Sequence, residues 1–180
     1  MKVLDGVGPG NPPESINVVV EIPKGSFFKY EFDQTSGFLY LDRKLYTSMV
    51  YPCNYGFIPC TLELDDDPVD ALILGDDPIS PLSIVRCKPI GILVTEDEEG
   101  QDSKVIATPI PKIDPIYSKV NDIKDIPGSV QNLVKHFFEH YKELEQGKFV
   151  RVKGWEGQRE AILKISESVD RYNKRAEERQ

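Results

Sequence analysis

Up to Thr108 the hydrophobic residues fall in short apolar runs and alternating stretches of strand length. Beyond Asp125 they recur every three or four. Ile16–Ile22 is a β-branched run and predicts a buried strand. In Phe27–Asp33, Phe28, Tyr30 and Phe32 share one face, while Lys29, Glu31 and Asp33 share the other. Gly37 follows a turn, and Phe38–Asp42 alternates again as the hairpin partner, which brings Arg43 back beside Lys29. Ala71–Leu74, Ser83–Thr95 and Lys104–Thr108 predict further strands, the second broken at Pro89 and Gly91. Residues 1–15, rich in Gly, Pro and Asn, read as an irregular lead-in.

The helical spacing is carried first by Val130, Leu133, Val134, Phe137, Phe138, Tyr141 and Leu144, with Gly147 placed to end that helix. Phe149–Val152 predicts a short strand. Glu160 to about Arg175 predicts a second helix, with Ile162, Ile165, Val169 and Tyr172 on its apolar face. No repeat, low-complexity segment or long linker divides the chain, so residues 1–180 read as a single domain of class α+β. Five or more mostly antiparallel strands followed by two helices suit a small closed barrel with helices packed outside.

Charge changes the picture. The net charge is −8, yet Glu63 to Asp102 alone holds 12 acidic residues against Arg86 and Lys88. Such a chain is a poor general nucleic-acid binder, because phosphate contacts need a basic surface. A carboxylate excess that folds compactly asks instead for a hard cation such as Mg²⁺, Mn²⁺ or Ca²⁺. No apolar run reaches the roughly 18 residues of a membrane helix, so no membrane partner is expected. The N-terminal stretch lacks an apolar signal-peptide core, and Cys53, Cys60 and Cys87 form no CxxC pair. Both features suggest a reducing, cytoplasmic setting.

Candidate chemistry centres on Asp65-Asp66-Asp67-Pro68-Val69-Asp70. On extended chain, carboxylates at i and i+2 point the same way, and the proline-fixed turn can add a third around one ion. An EF-hand is excluded, since the sixth position is Asp70 rather than Gly and the twelfth Asp76 rather than Glu. An ordinary Asp-rich turn explains one or two of these aspartates better than four in six residues. Asp97 and Asp102, in a second acidic turn, can add ligands to the same site. Lys29 and Arg43 opposite such a cluster would clamp a multiply charged phosphate. His136 and His140 stand at i, i+4, but no HExxH is present, and a surface or interface pair is the plainer reading.

Taken together, these residues resemble the family I soluble inorganic pyrophosphatases of bacterial type. Asp65-Asp66-Asp67-Pro68-Val69-Asp70-Ala71 is similar to the family signature. Around it fall Glu21-Ile22-Pro23, Lys29-Tyr30-Glu31, Asp42-Arg43, Tyr51-Pro52-Cys53-Asn54-Tyr55-Gly56, Asp97 through Lys104, and His136 through Lys142. The resemblance implies a five-stranded OB-like β-barrel with two main external helices, and hydrolysis of Mg-pyrophosphate to two orthophosphates. It implies that Asp65, Asp70 and Asp102 hold ions sharing the attacking water, with Asp67 as general base. Asp97 and Glu31 would serve ions that arrive with substrate. Lys29, Arg43, Tyr55, Lys104, Tyr141 and Lys142 would grip phosphate, while Glu21 and Tyr51 belong to the pocket without a defined role. Several Mg²⁺ per subunit are implied, with Mn²⁺ or Zn²⁺ as substitutes. So is a homohexamer with His136 and His140 near a subunit contact. Two departures stand out: Asp66 where Gly or Asn is common, adding a charge near the ions, and Phe57 where Tyr is common.

Two rival readings follow from the residues alone. One is a metal-dependent phosphohydrolase acting on nucleotides or phosphomonoesters, which needs a base- or sugar-binding subsite. The other is a non-enzymatic OB-type barrel that binds single-stranded nucleic acid or Ca²⁺.

Overall fold

The alternating segments become strands wherever a neighbour satisfies their backbone. The structure is a computed structural model and describes residues 6–178. In chain order its strands are β1 (Gly10–Asn11), β2 (Ser15–Ile22), β3 (Phe28–Asp33), β4 (Phe38–Lys44), β5 (Asn54–Phe57), β6 (Asp70–Ile73), β7 (Ile84–Asp97), β8 (Gly100–Gln101), β9 (Lys104–Pro109) and β10 (Val150–Gly157). The helices are α1 (Gly128–His140) and α2 (Gln158–Glu177).

Five strands close on themselves in the order β2-β5-β6-β9-β7, because β7 also pairs with β2. Closure removes the open edges that a small sheet would otherwise expose. All pairings in the ring are antiparallel except β6–β9, where Ala71, Leu72 and Ile73 face Val105, Ile106 and Ala107 in parallel. β3 and β4 form a separate two-stranded hairpin.

Period two sorts the apolar residues onto two faces of the ring. Leu72 and Leu74 of the β6 segment join Ile106 and Leu93 in the core that receives Val134, Phe137 and Phe138 of α1. Ala71 and Ile73 join Val105, Ala107, Ile16 and Val18 in the second core, where Ile165 of α2 also sits. Phe137 and Phe138 are fully buried; each contributes about 1.5–3 kcal/mol by leaving water.

Several boundaries differ from expectation. β5 was hidden in a stretch that reads as a turn. Gly56 is required there, since a Cβ would lie 1.9 Å from the Val19 carbonyl oxygen of β2. Asn54, fully buried, accepts from the N–H groups of Lys24 (3.0 Å) and Ile79 (2.8 Å) and donates to the Asp77 carbonyl (3.0 Å). β7 is not broken at Pro89 and Gly91; its register against β9 shifts there, a bulge that lets one long strand bend around the ring. β10 runs on to Gly157 because the bulge between Val152 and Gly154 restores its pairing with β7. α1 stops at His140, short of Leu144. The chain beyond it tightens into i→i−3 turns, Glu143 N–H to His140 and Glu145 N–H to Lys142, before Gly147. Of the irregular lead-in, residues 1–5 lie outside the described residues, and Gly10–Asn11 pairs with β2.

Candidate active site

The hairpin β3–β4 supplies the first cations. Lys29 and Arg43 are register partners, as the alternation predicts. Lys29 Nζ donates to Glu31 (2.5 Å), on the same strand face, and lies 3.6 Å from Asp42. Arg43 donates through Nη1 to Asp42 (2.5 Å) and through Nε to Glu145 (3.1 Å). Glu21, near the end of β2, accepts from the Phe32 N–H at 2.7 Å. Burial, reinforced by the charges of Asp70 and Glu31, pushes its carboxyl up to about 8, while the Phe32 N–H and Lys29 pull the other way.

The ring supplies the centre. The parallel pairing of β6 and β9 brings Asp70 beside Lys104, and the β8–β9 connection places Asp102 next to both. Lys104 Nζ donates to Asp70 Oδ2 (2.7 Å) and to both oxygens of Asp102 (2.8 and 2.9 Å). Its side chain is only 4% exposed. Burial opposes its charge, but the two carboxylates outweigh it and its pKa is raised. The ammonium lies over the Tyr55 ring at 5.7 Å and the Phe138 ring at 5.8 Å. Tyr51 packs on Tyr55 (5.9 Å) and Tyr141 (6.5 Å). All three hydroxyls are raised, first by burial, with the Asp70 carboxylate adding to each. At the rim, Lys142 donates to Asp97 at 3.2 Å.

Asp65 and Asp67 stand on the exposed loop between β5 and β6, where the Asp67 N–H donates to Asp65 Oδ1 (3.1 Å). Desolvation, then the charges of Asp65, Asp70 and Glu31, raise Asp67 above the ordinary carboxylate value. Like charges gathered around Asp67 mark a field that favours cations. Among the described residues, no three His, Cys, Asp or Glu side chains converge at metal-ligand spacing, and Asp70 and Asp102 close on Lys104 instead. The donor chemistry nevertheless fits a hard divalent ion: all oxygen, all carboxylate, partly exposed and mutually repelling.

Residues 18–173 match the family model of inorganic pyrophosphatase. The chain belongs to the inorganic pyrophosphatase family. The inorganic pyrophosphatase of Aquifex pyrophilus is 52% identical over 164 residues, covering 91% of this chain and 93% of its own. That of Aeropyrum pernix is 52% identical over 167 residues, covering 92% and 95%. The solved inorganic pyrophosphatase of Helicobacter pylori superposes with a TM-score of 0.91 at 46% identity, covering 94% of this chain and 99% of its own. The five-stranded ring with two external helices is therefore the pyrophosphatase fold.

Within that frame, Glu21, Glu31, Lys29, Tyr51, Tyr55, Asp65, Asp67, Asp70, Asp102, Lys104 and Tyr141 fall in one neighbourhood, linked by the contacts and field effects above. Arg43 joins through its charge on Tyr51 and Tyr141. Asp97 and Lys142 pair at the edge. Asp66 turns away from this group: its φ is +74° and its carboxylate pairs with Arg175 of α2. A left-handed backbone is one that Gly or Asn adopts more readily than Asp. Phe57 stacks on Phe32 at 5.9 Å, an apolar contact needing no hydroxyl. His136 and His140 lie on α1 with rings 4.5 Å apart, outside the carboxylate group. Sequence reasoning missed Glu145 as the partner of Arg43. The break of α1 after His140 is what carries Glu145 there, and no local pattern announces it.

Proposed function

We propose that the whole chain acts as one pyrophosphatase domain that hydrolyses inorganic pyrophosphate to two orthophosphates, with Mg²⁺ as its cofactor and Mn²⁺ or Zn²⁺ as substitutes. The observation that carries this reading is the buried Lys104 between Asp70 and Asp102, next to a carboxylate loop and a lysine–arginine hairpin. It juxtaposes phosphate-binding cations with an oxygen donor set.

Pyrophosphate is a polyanion whose leaving group is also anionic, so water attack is resisted by charge. Asp65, Asp70 and Asp102 would hold Mg²⁺, with Asp97 and Glu31 serving further ions, and the bound metal would supply Lewis acidity that lowers the pKa of water and offsets phosphate charge. Asp67 takes the proton of the attacking water as its oxygen bonds to phosphorus and the bridging P–O bond breaks. Lys29, Arg43, Tyr55, Lys104, Tyr141 and Lys142 bind phosphate oxygens and stabilise the charge that develops on the departing phosphate. Burial keeps the tyrosines protonated, as donors. Glu21 and Tyr51 line the pocket.

Asp67→Asn tests the assignment, since it removes the base while keeping the shape. Turnover falls by about 10²–10⁴-fold, while calorimetry still detects Mg²⁺ binding. Near-normal turnover removes Asp67 from the role. The proposal extends to a homohexamer in the cytoplasm, with His136 and His140 near a subunit contact. Their position on the outer side of α1, beside the exposed Leu133, supports it, and the three free cysteines suit a reducing compartment.

A further inference from the structure

One face of α2 grips the loop that carries Asp65 and Asp67. Leu62 donates its N–H to the Ser168 carbonyl (3.0 Å), and its own carbonyl accepts from Arg171 Nε (2.7 Å). Both backbone groups of one loop residue are thus answered by one helix. The next residue, Glu63, accepts at its carboxylate from Lys164 Nζ (2.5 Å), Arg171 Nη2 (2.9 Å) and the Ser168 hydroxyl. Arg171 Nη2 also donates to Ser168 Oγ at 2.7 Å, and Ser168 is fully buried. Lys164, Ser168 and Arg171 stand at i, i+4 and i+7, a single helical stripe. The connection continues through the backbone: the Glu63 N–H donates to the Asp67 carbonyl at 2.7 Å. A chain of direct bonds therefore runs from helix to Glu63 to Asp67. The Arg175–Asp66 pair one turn further on is exposed and adds little to it.

We propose that Glu63 and Arg171 are positioning residues, through which α2 fixes where the Asp67 carboxylate stands. The inference rests on the reading of Asp67 as the base. Neither residue reaches the phosphate-binding group, so each acts through the loop. A base displaced by a fraction of an ångström lowers the chemical step while leaving phosphate binding to the lysines, Arg43 and the tyrosines.

The test compares Arg171→Ala, Arg171→Lys and Glu63→Gln with the parent, by steady-state kinetics on pyrophosphate with Mg²⁺ and by amide hydrogen exchange. In Arg171→Ala, kcat falls about tenfold to a hundredfold. KM stays within about twofold. The Leu62 and Glu63 amides exchange faster, while those of Val19 and Ile106 in the ring do not. Arg171→Lys recovers part of kcat, because an ammonium keeps the ion pair with Glu63 but loses the bond to the Leu62 carbonyl. Unchanged kcat in folded Arg171→Ala overturns the proposal, as does faster exchange spread evenly over the ring. If Arg171→Ala does not fold, Glu63→Gln carries the same readouts, and an unchanged kcat there overturns it equally. A parent protein that releases no phosphate refutes the functional reading alone. The clamp is then judged by exchange: faster Leu62 and Glu63 amides in the variant support it, and unchanged ones overturn it.

Discussion

Lys104→Met separates the electrostatics of the site from its packing. Methionine keeps the length and most of the apolar stem, so what is lost is the ammonium, with its ion pairs and its approach to the Tyr55 and Phe138 rings. Removing one partner from a buried ion pair costs about 3–5 kcal/mol, because the remaining charge is stranded. Here the stranded groups, Asp70 and Asp102, are 26% and 29% exposed, so water answers part of the loss. That reduces the expected cost to about 2–3 kcal/mol. At roughly 2–4 °C per kcal/mol for a chain of this size, the variant melts about 4–12 °C lower in chelator. Mg²⁺ should then reverse the deficit. An ion on those two carboxylates at a hundred times its dissociation constant returns about 2.7 kcal/mol. In the parent, the ion must compete with the ammonium for the same oxygens, so its stabilisation by Mg²⁺ is smaller. The assay is thermal unfolding of both proteins in chelator and along a Mg²⁺ titration. An unchanged melting temperature in chelator, or equal Mg²⁺ shifts in the two proteins, would refute the reasoning that Lys104 stands in a cation site.

The other expectations concern residues around that centre. Glu21 has a folded pKa of about 8 against 4.5 unfolded, so folding favours its neutral form. Its contribution is therefore most favourable below pH 4.5 and is lost as pH rises through 8. Glu21→Gln, measured in chelator, gains stability over the parent across that window; a constant difference contradicts the assignment. Asp66→Gly relieves a left-handed backbone and gives up an exposed pair with Arg175, so melting temperature and kcat both hold. A large loss of kcat would mean that Asp66 belongs to the catalytic group after all. His136→Ala combined with His140→Ala shifts the assembly toward smaller species by light scattering, and an unchanged mass removes the histidines from the contact.

Short-range chemistry was the most legible part of the chain. The aspartates of 65–70 and the pairing of Lys29 with Arg43 follow from local spacing and from alternation, which a hairpin preserves. The core of the site was not readable that way. Asp70 and Lys104 are 34 positions apart and meet only through the parallel β6–β9 pairing, which no local pattern encodes. The family resemblance supplied that association; the residues alone did not. β5 was obscured because Asn54 and Gly56 carry turn-former identities for other reasons: one ties three segments together, the other admits a close backbone approach. The end of α1 was overrun because Leu144 keeps helical spacing in sequence, yet it is 63% exposed and the chain turns to deliver Glu145 to Arg43. The hold of α2 on the acidic loop was equally hidden, since Glu63 lies more than 100 positions from Lys164 and Arg171.

Phosphate release from pyrophosphate, with and without Mg²⁺ and with ATP as a parallel substrate, tests the central claim most directly. The account predicts rapid release that requires the metal and strongly prefers pyrophosphate. Comparable turnover of ATP would point to a broader phosphohydrolase, and no release with any divalent cation would contradict the assignment of this site to pyrophosphate hydrolysis.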